Sequence, residues 1–142
     1  MIKGVRPRLR GSELARVLLV DDDPASRLTL QTVLEAGGYR VDSAASAAEA
    51  FSMLDRDEYE LVLSEMQMES PYAGLKVLAH ARMMEYKPAT ALICTEFASP
   101  ETEEPYLLVA PEDVPGLFTK VADLISGRAL RIIARQMRQA NN

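Results

Sequence analysis

The sequence predicts a doubly wound α/β fold on a five-stranded parallel sheet. Short apolar runs, 17-VLLV-20, 61-LVL-63, 91-ALICT-95 and 106-YLLV-109, alternate with stretches whose apolar residues recur at helical spacing. Runs that are apolar at every position belong to strands covered on both faces, as in parallel sheets. Turn and capping residues stand where one type of pattern gives way to the other.

The first strand, 17–20, closes on Asp21-Asp22-Asp23-Pro24, a helix-start signal. The helix that follows carries Leu30, Val33 and Leu34 at i, i+3, i+4 and stops at Gly37-Gly38. A short second strand begins at Tyr39-Arg40-Val41. Ser46-x-x-Glu49 then reads as a capping box for a helix with Ala47, Ala50, Phe51 and Leu54 on one face. Leu61-Val62-Leu63 forms the third strand, Gly74 starts a helix with Leu75, Leu78 and Ala79 inward, and 91–95 is the fourth strand. The fifth strand, 106–109, leads into a helix whose Leu117, Val121, Leu124 and Ile125 share a face.

A chain of 142 residues with 48% hydrophobic and 26% charged residues is an ordinary globular composition for one domain. The net charge of −5 is unevenly placed. Residues 1–16 hold Lys3, Arg6, Arg8, Arg10 and Arg16 against Glu13, for +4; residues 126–142 hold Arg128, Arg131, Arg135 and Arg138 and no acid, again +4; the middle carries −13. Such a body repels nucleic acid, so nucleic acid is not an expected partner. The sequence divides into a basic N-terminal tail (1–14), a globular region (15–126) and an amphipathic C-terminal helical extension (127–142). No apolar run approaches a bilayer-spanning length, so no membrane association and a cytoplasmic location are expected. Cys94, the only cysteine, excludes an internal disulfide and reads as a core residue.

In parallel sheets the chemistry gathers at the C-terminal ends of the strands. The residues there are Asp21-Asp22-Asp23, Glu65, Thr95 and Ala110-Pro111. On VLLVDDDPASR, LVLSEMQM and LICT, residues 15–126 resemble the receiver domain of bacterial two-component response regulators, a flavodoxin-like fold. The resemblance implies that Asp21 and Asp22 are the acidic pair that holds Mg2+, that Glu65 stands at the phosphoacceptor position, that Gln67 lends a backbone carbonyl to the metal, and that Thr95 contacts the phosphoryl group. Implied partners are a kinase or an output protein.

The departures from that pattern are as informative. Glutamate replaces the acceptor aspartate, and the lysine that ends the fifth strand in the family is replaced by Ala110 or Val109. The bulky, negative Glu96 follows Thr95. The segment EFASPETEEP has two prolines and four glutamates, so the family's fourth helix is expected to be missing or reduced. Without a lysine the charge on the transferring oxygens loses a stabiliser, and the extra methylene of Glu65 misplaces the nucleophile. Three readings of Glu65 stay open: a phosphoacceptor, a fixed phosphoaspartate mimic holding an active-like surface, or a relic in a pseudo-receiver that works by binding alone. The expectation is a stand-alone, non-enzymatic pseudo-receiver acting by phosphorylation-independent protein–protein interaction, with weak Mg2+ binding at Asp21, Asp22, Glu65 and the Gln67 backbone. Asp21 and Asp22 also serve as candidates for the cap of the first helix. The alternative is a magnesium-dependent phosphohydrolase similar to the haloacid dehalogenases, through Asp21-x-Asp23 and a second strand ending in Thr95.

His80, without a nearby second ligand, reads as a surface helix residue. Met66, Met68, Met83 and Met84 read as core filling. In 128-RALRIIARQMRQ-139, Leu130, Ile133 and Met137 line one side while Arg131 and Arg135 group beside them. These five residues form a candidate interface, with this chain's own body or with a second copy in a homodimer.

Overall fold

The computed structural model describes residues 13–94, 103–109 and 113–141. Five strands form one parallel sheet in the order β2-β1-β3-β4-β5. They are β1 (Arg16–Val20), β2 (Arg40–Ala44), β3 (Leu61–Glu65), β4 (Ala89–Cys94) and β5 (Tyr106–Leu108), with α1 (Pro24–Ala36), α2 (Ala47–Arg56), α3 (Ala73–Arg82) and α4 (Val114–Ala140).

Alternation along each strand divides the apolar residues between two faces. Val17 and Leu19 of β1, Leu61 and Leu63 of β3 and Ile93 of β4 pack with Leu30 and Leu34 of α1 and Leu117 and Val121 of α4. Leu18, Val20, Val62 and Leu92 point the other way, onto Ala50 and Leu54 of α2 and Val77 and Leu78 of α3. β1 lies between β2 and β3, so the chain reverses its direction of travel across the sheet at β1/β3. That switch point places a crevice at the C-terminal ends of β1 and β3.

Local chemistry sets the element boundaries. Asp23, rather than Asp21 or Asp22, caps α1: its Oδ2 accepts from the Ser26 N–H at 3.1 Å and from the Ser26 hydroxyl at 2.6 Å. Pro24 then occupies the first turn, where a missing N–H costs nothing. Ser46 caps α2 as its capping box predicts, but Glu49 reaches back to the N–H of Ala45 rather than to that of Ser46. In α3 it is Val77 that points inward, while Ala79 is exposed.

Three expectations need correction. A fourth helix is present, α4, so the expectation of a missing or reduced fourth helix is not borne out; it follows β5, and residues 95–102 between β4 and β5 lie outside the described residues. Residues from 127 onward continue α4, which runs unbroken through Ser126 and Gly127. Cys94 is half-buried at the end of β4 rather than a core residue. Met83 is 77% exposed, unlike Met66, Met68 and Met84, which pack against the α2–α3 core.

Candidate functional site

The crevice collects carboxylates. Asp21 leaves β1 buried, and its Oδ1 accepts the Asp23 N–H at 3.0 Å, which fixes the carboxylate over the strand end. Asp22 is exposed, and Glu65 ends β3 half-buried. Burial first, and then the charges of Asp21, Asp22 and Asp23, push the Glu65 carboxyl from its ordinary 4.5 up to about 7. Asp21 is also raised, chiefly by burial and further by Asp22 and Asp23, against a lowering by the Asp23 N–H and by Arg27. The Cys94 thiol is pushed up by burial and then by the negative charge of Glu65, which places the end of β4 beside the same cluster.

Arg27 is a site residue that the sequence reading missed. Its Nη1 donates to the Asp21 carbonyl at 2.7 Å, and its charge lowers the pKa of both Asp21 and Asp23. The available signal was its place one turn into the helix that follows the acidic triplet. The charges that act on Glu65 are those of Asp21, Asp22 and Asp23.

Backbone packing positions Glu65. A Cβ on Gly74 would lie 2.0 Å from the Glu65 carbonyl oxygen and 2.8 Å from Met66 Cα, so only glycine lets α3 approach β3 this closely. The Gly74 N–H donates to the Met66 carbonyl at 2.8 Å, and the buried Ser64 hydroxyl donates to the Glu65 carbonyl at 2.9 Å. Glu69 ties the same loop to α2 by accepting the Ala47 N–H at 3.0 and 3.1 Å, a carboxylate at a helix N-terminus. That contact holds the Glu69 carboxyl below its usual range.

Gln67 is exposed in the loop after β3. Val109, one of the two lysine-position candidates, packs half-buried against the α1–α4 core, and its N–H donates to the Cys94 carbonyl at 2.8 Å. Ala110, Thr95 and Glu96 lie outside the described residues. His80 is more engaged than a surface residue: its ring stacks on Phe51 at 4.8 Å and its Nε2 lies 2.7 Å from Asp55 Oδ1. Leu130, Ile133 and Met137 do not bury against this chain, remaining 67%, 50% and 62% exposed. Arg131 and Arg135 are not beside them but line a concavity of about 730 Å³ between α4 and the start of β4, with Arg82, Lys87 and Arg128.

Asp21, Asp22 and Glu65 offer only anionic oxygens, the donor chemistry that suits a hard divalent cation. Among the described residues, however, no group of three or more His, Cys, Asp or Glu side chains is arranged to hold a metal ion. No helix among the described residues is long and apolar enough to cross a membrane.

Residues 17–111 match the response regulator receiver domain. The chain belongs to this family. It is 36% identical over 90 residues to the gliding motility regulatory protein of Myxococcus xanthus, an alignment covering 61% of this chain and 11% of that protein. It is 27% identical over 121 residues to the transcriptional regulatory protein GlrR of Escherichia coli, covering 81% of this chain and 27% of that one. The chain thus spans only a small part of these relatives. Among solved structures it is similar to the response regulator TrrA of Thermotoga maritima in complex with Mg2+-BeF, with 25% identity, a TM-score of 0.68, and coverage of 78% of this chain and 99% of that one. The complex of histidine kinase ThkA with TrrA matches at 26% identity and a TM-score of 0.66, over 78% and 98%. Receiver domains are signalling modules, generally non-enzymatic, that interact with histidine kinases and output domains and bind Mg2+ for phosphorylation. The family match ends at residue 111, before α4 begins.

Proposed function

We propose that this receiver domain is a pseudo-receiver, acting by phosphorylation-independent protein–protein interaction with a kinase or output protein. The observation that carries this reading is the electrostatic setting of Glu65. A carboxylate that attacks a phosphodonor must be ionised and must have cations beside it to neutralise the transferring oxygens. Glu65 is held protonated up to about pH 7, and the charges acting on it are three aspartates. Arg27 is committed to Asp21 and Asp23, and Val109 is an apolar side chain packed half-buried against the core.

Weak Mg2+ binding at Asp21, Asp22 and Glu65 belongs to the same reading, because the Glu65 carboxyl is raised by burial and then by the three aspartates, and a divalent cation relieves that second cause. These side chains and the Gln67 carbonyl would hold it only weakly, since they are not drawn together as a metal site, and the bound cation would offset their mutual repulsion while Val109 leaves the transferring oxygens without a second cation. The phosphohydrolase alternative has no comparable support. Asp23, the second acid of its pattern, is committed to capping α1.

The test is intact-mass measurement after incubation with acetyl phosphate and Mg2+ at pH 8, where Glu65 is ionised. The expected mass is unchanged. A single phosphoryl adduct that disappears in Glu65→Gln would overturn the proposal and restore a phosphorylated switch.

A further inference from the structure

Helix α4 has two apolar stripes that point in nearly opposite directions. At about 100° per residue, Leu117, Val121, Leu124 and Ile125 centre on the side of the helix that packs against the sheet. Arg128 continues that side, and its guanidinium donates to the carbonyls of Tyr86 at 2.7 Å and Lys87 at 3.0 Å. Leu130, Ile133 and Met137 centre about 180° away on the same helical wheel. Because α4 is unbroken from Val114 to Ala140 and Arg128 locks its rotation against the α3–β4 turn, no part of this stripe turns back to the body. It is half to two-thirds exposed along its length.

The flanks of the stripe identify what covers it. Ser126, Leu130, Ile133, Met137 and Ala140 repeat with alternating steps of four and three, a coiled-coil seam. The positions that border such a seam, Gly127, Ala129, Ala134 and Gln136, carry no charge, and three of them are small enough for close approach. Every arginine of the segment, at 128, 131, 135 and 138, stands outside the seam and its borders. A charged partner would meet no complement beside the stripe, whereas an identical helix meets an uncharged, apolar copy of itself.

We infer that the Leu130–Ile133–Met137 face pairs antiparallel with the same face of a second copy, Leu130 of one copy opposite Ile133 of the other. The antiparallel direction follows from charge. A parallel pair would set Asp123 against Asp123 at the head of the seam and bring together two bodies of −13 each. The antiparallel pair places the bodies at opposite ends and opposes the two helix dipoles favourably. The inference rests on α4 alone and stands independently of how Glu65 behaves.

Sedimentation velocity on the full chain, from low to high micromolar protein, should give twice the monomer mass at the upper end. Leu130→Glu/Ile133→Glu should stay monomeric with unchanged far-ultraviolet dichroism. In a Cys94→Ser background, mixing Leu130→Cys with Ile133→Cys chains should yield mainly the mixed disulfide over either self-linked species. A parent chain that remains monomeric, a double-Glu variant that still dimerises, or preferential self-linking of the Leu130→Cys chain would each overturn the inference.

Discussion

The two ends of the sheet use the same side chains to opposite effect. At the N-terminal end, near the start of β1, the buried Asp57 and the half-buried Asp42 gather around Arg16, which lies 3.3 Å from Asp42 Oδ2 and 3.9 Å from Asp57 Oδ1. Tyr59 donates its hydroxyl to Asp42 at 2.8 Å, and the Arg16 guanidinium sits 5.1 Å over the Tyr59 ring. At the C-terminal end, Asp21 and Glu65 are drawn out of water with like charges around them and rise in pKa. The first cluster is paired and structural. The second gathers like charges that Arg27 offsets at Asp21 and Asp23 but not at Glu65, and perturbed carboxylates of this kind concentrate at functional sites. Position on the sheet, rather than residue type, separates the two.

The largest effect should come from breaking the paired end. Arg16→Met removes the cation between two carboxylates whose side chains are 9% and 3% exposed. Removing one partner of such a cluster should cost about 3 kcal/mol of stability. Urea unfolding at pH 7 measures it, and a loss comparable to that of an ordinary surface substitution would erase the distinction between the two ends.

Gly74→Ala tests the positioning of the crowded end. Its Cβ would strike backbone atoms of Glu65 and Met66, which have no rotamer to yield, so the variant should lose about 2 kcal/mol and shift the amide resonances at the end of β3. A variant as stable as the parent would mean that α3 and β3 can separate without cost.

The smallest effect has the clearest sign. The Glu65 carboxyl titrates near 7 in the folded chain and near 4.5 when unfolded, so the folded state binds the extra proton between those values. The stability associated with that proton is complete below pH 4.5 and is lost as pH rises through 7. Glu65→Gln should therefore match the parent at about pH 4 and exceed it at about pH 8 by about 1 kcal/mol, after discounting for the group's partial exposure. Mg2+ should raise the Tm of the parent at pH 8, and should do so less in Glu65→Gln. Equal stability of the two chains at both pH values would leave the C-terminal end no more strained than the N-terminal one.

Much of this was legible in the sequence because it depends on local pattern. The strands 17-VLLV-20 and 61-LVL-63 are recognisable from continuous apolarity, and the starts of α1 and α2 from Asp23-Pro24 and Ser46-x-x-Glu49, since caps and strand runs are decided by neighbours within a few residues. The convergence of Asp21 and Glu65 followed from the parallel topology those patterns imply. Tertiary structure alone decided the rest. Arg27 joins the site because α1 lays its first turn over the end of β1. Gly74 is needed because α3 meets the Glu65 carbonyl. The stripe at Leu130, Ile133 and Met137 reads as amphipathic in sequence, but periodicity states only that a helix has an apolar side. Which way that side faces depends on how the preceding turns, anchored by Leu117, Val121 and Arg128, have already fixed the rotation of the helix against the sheet.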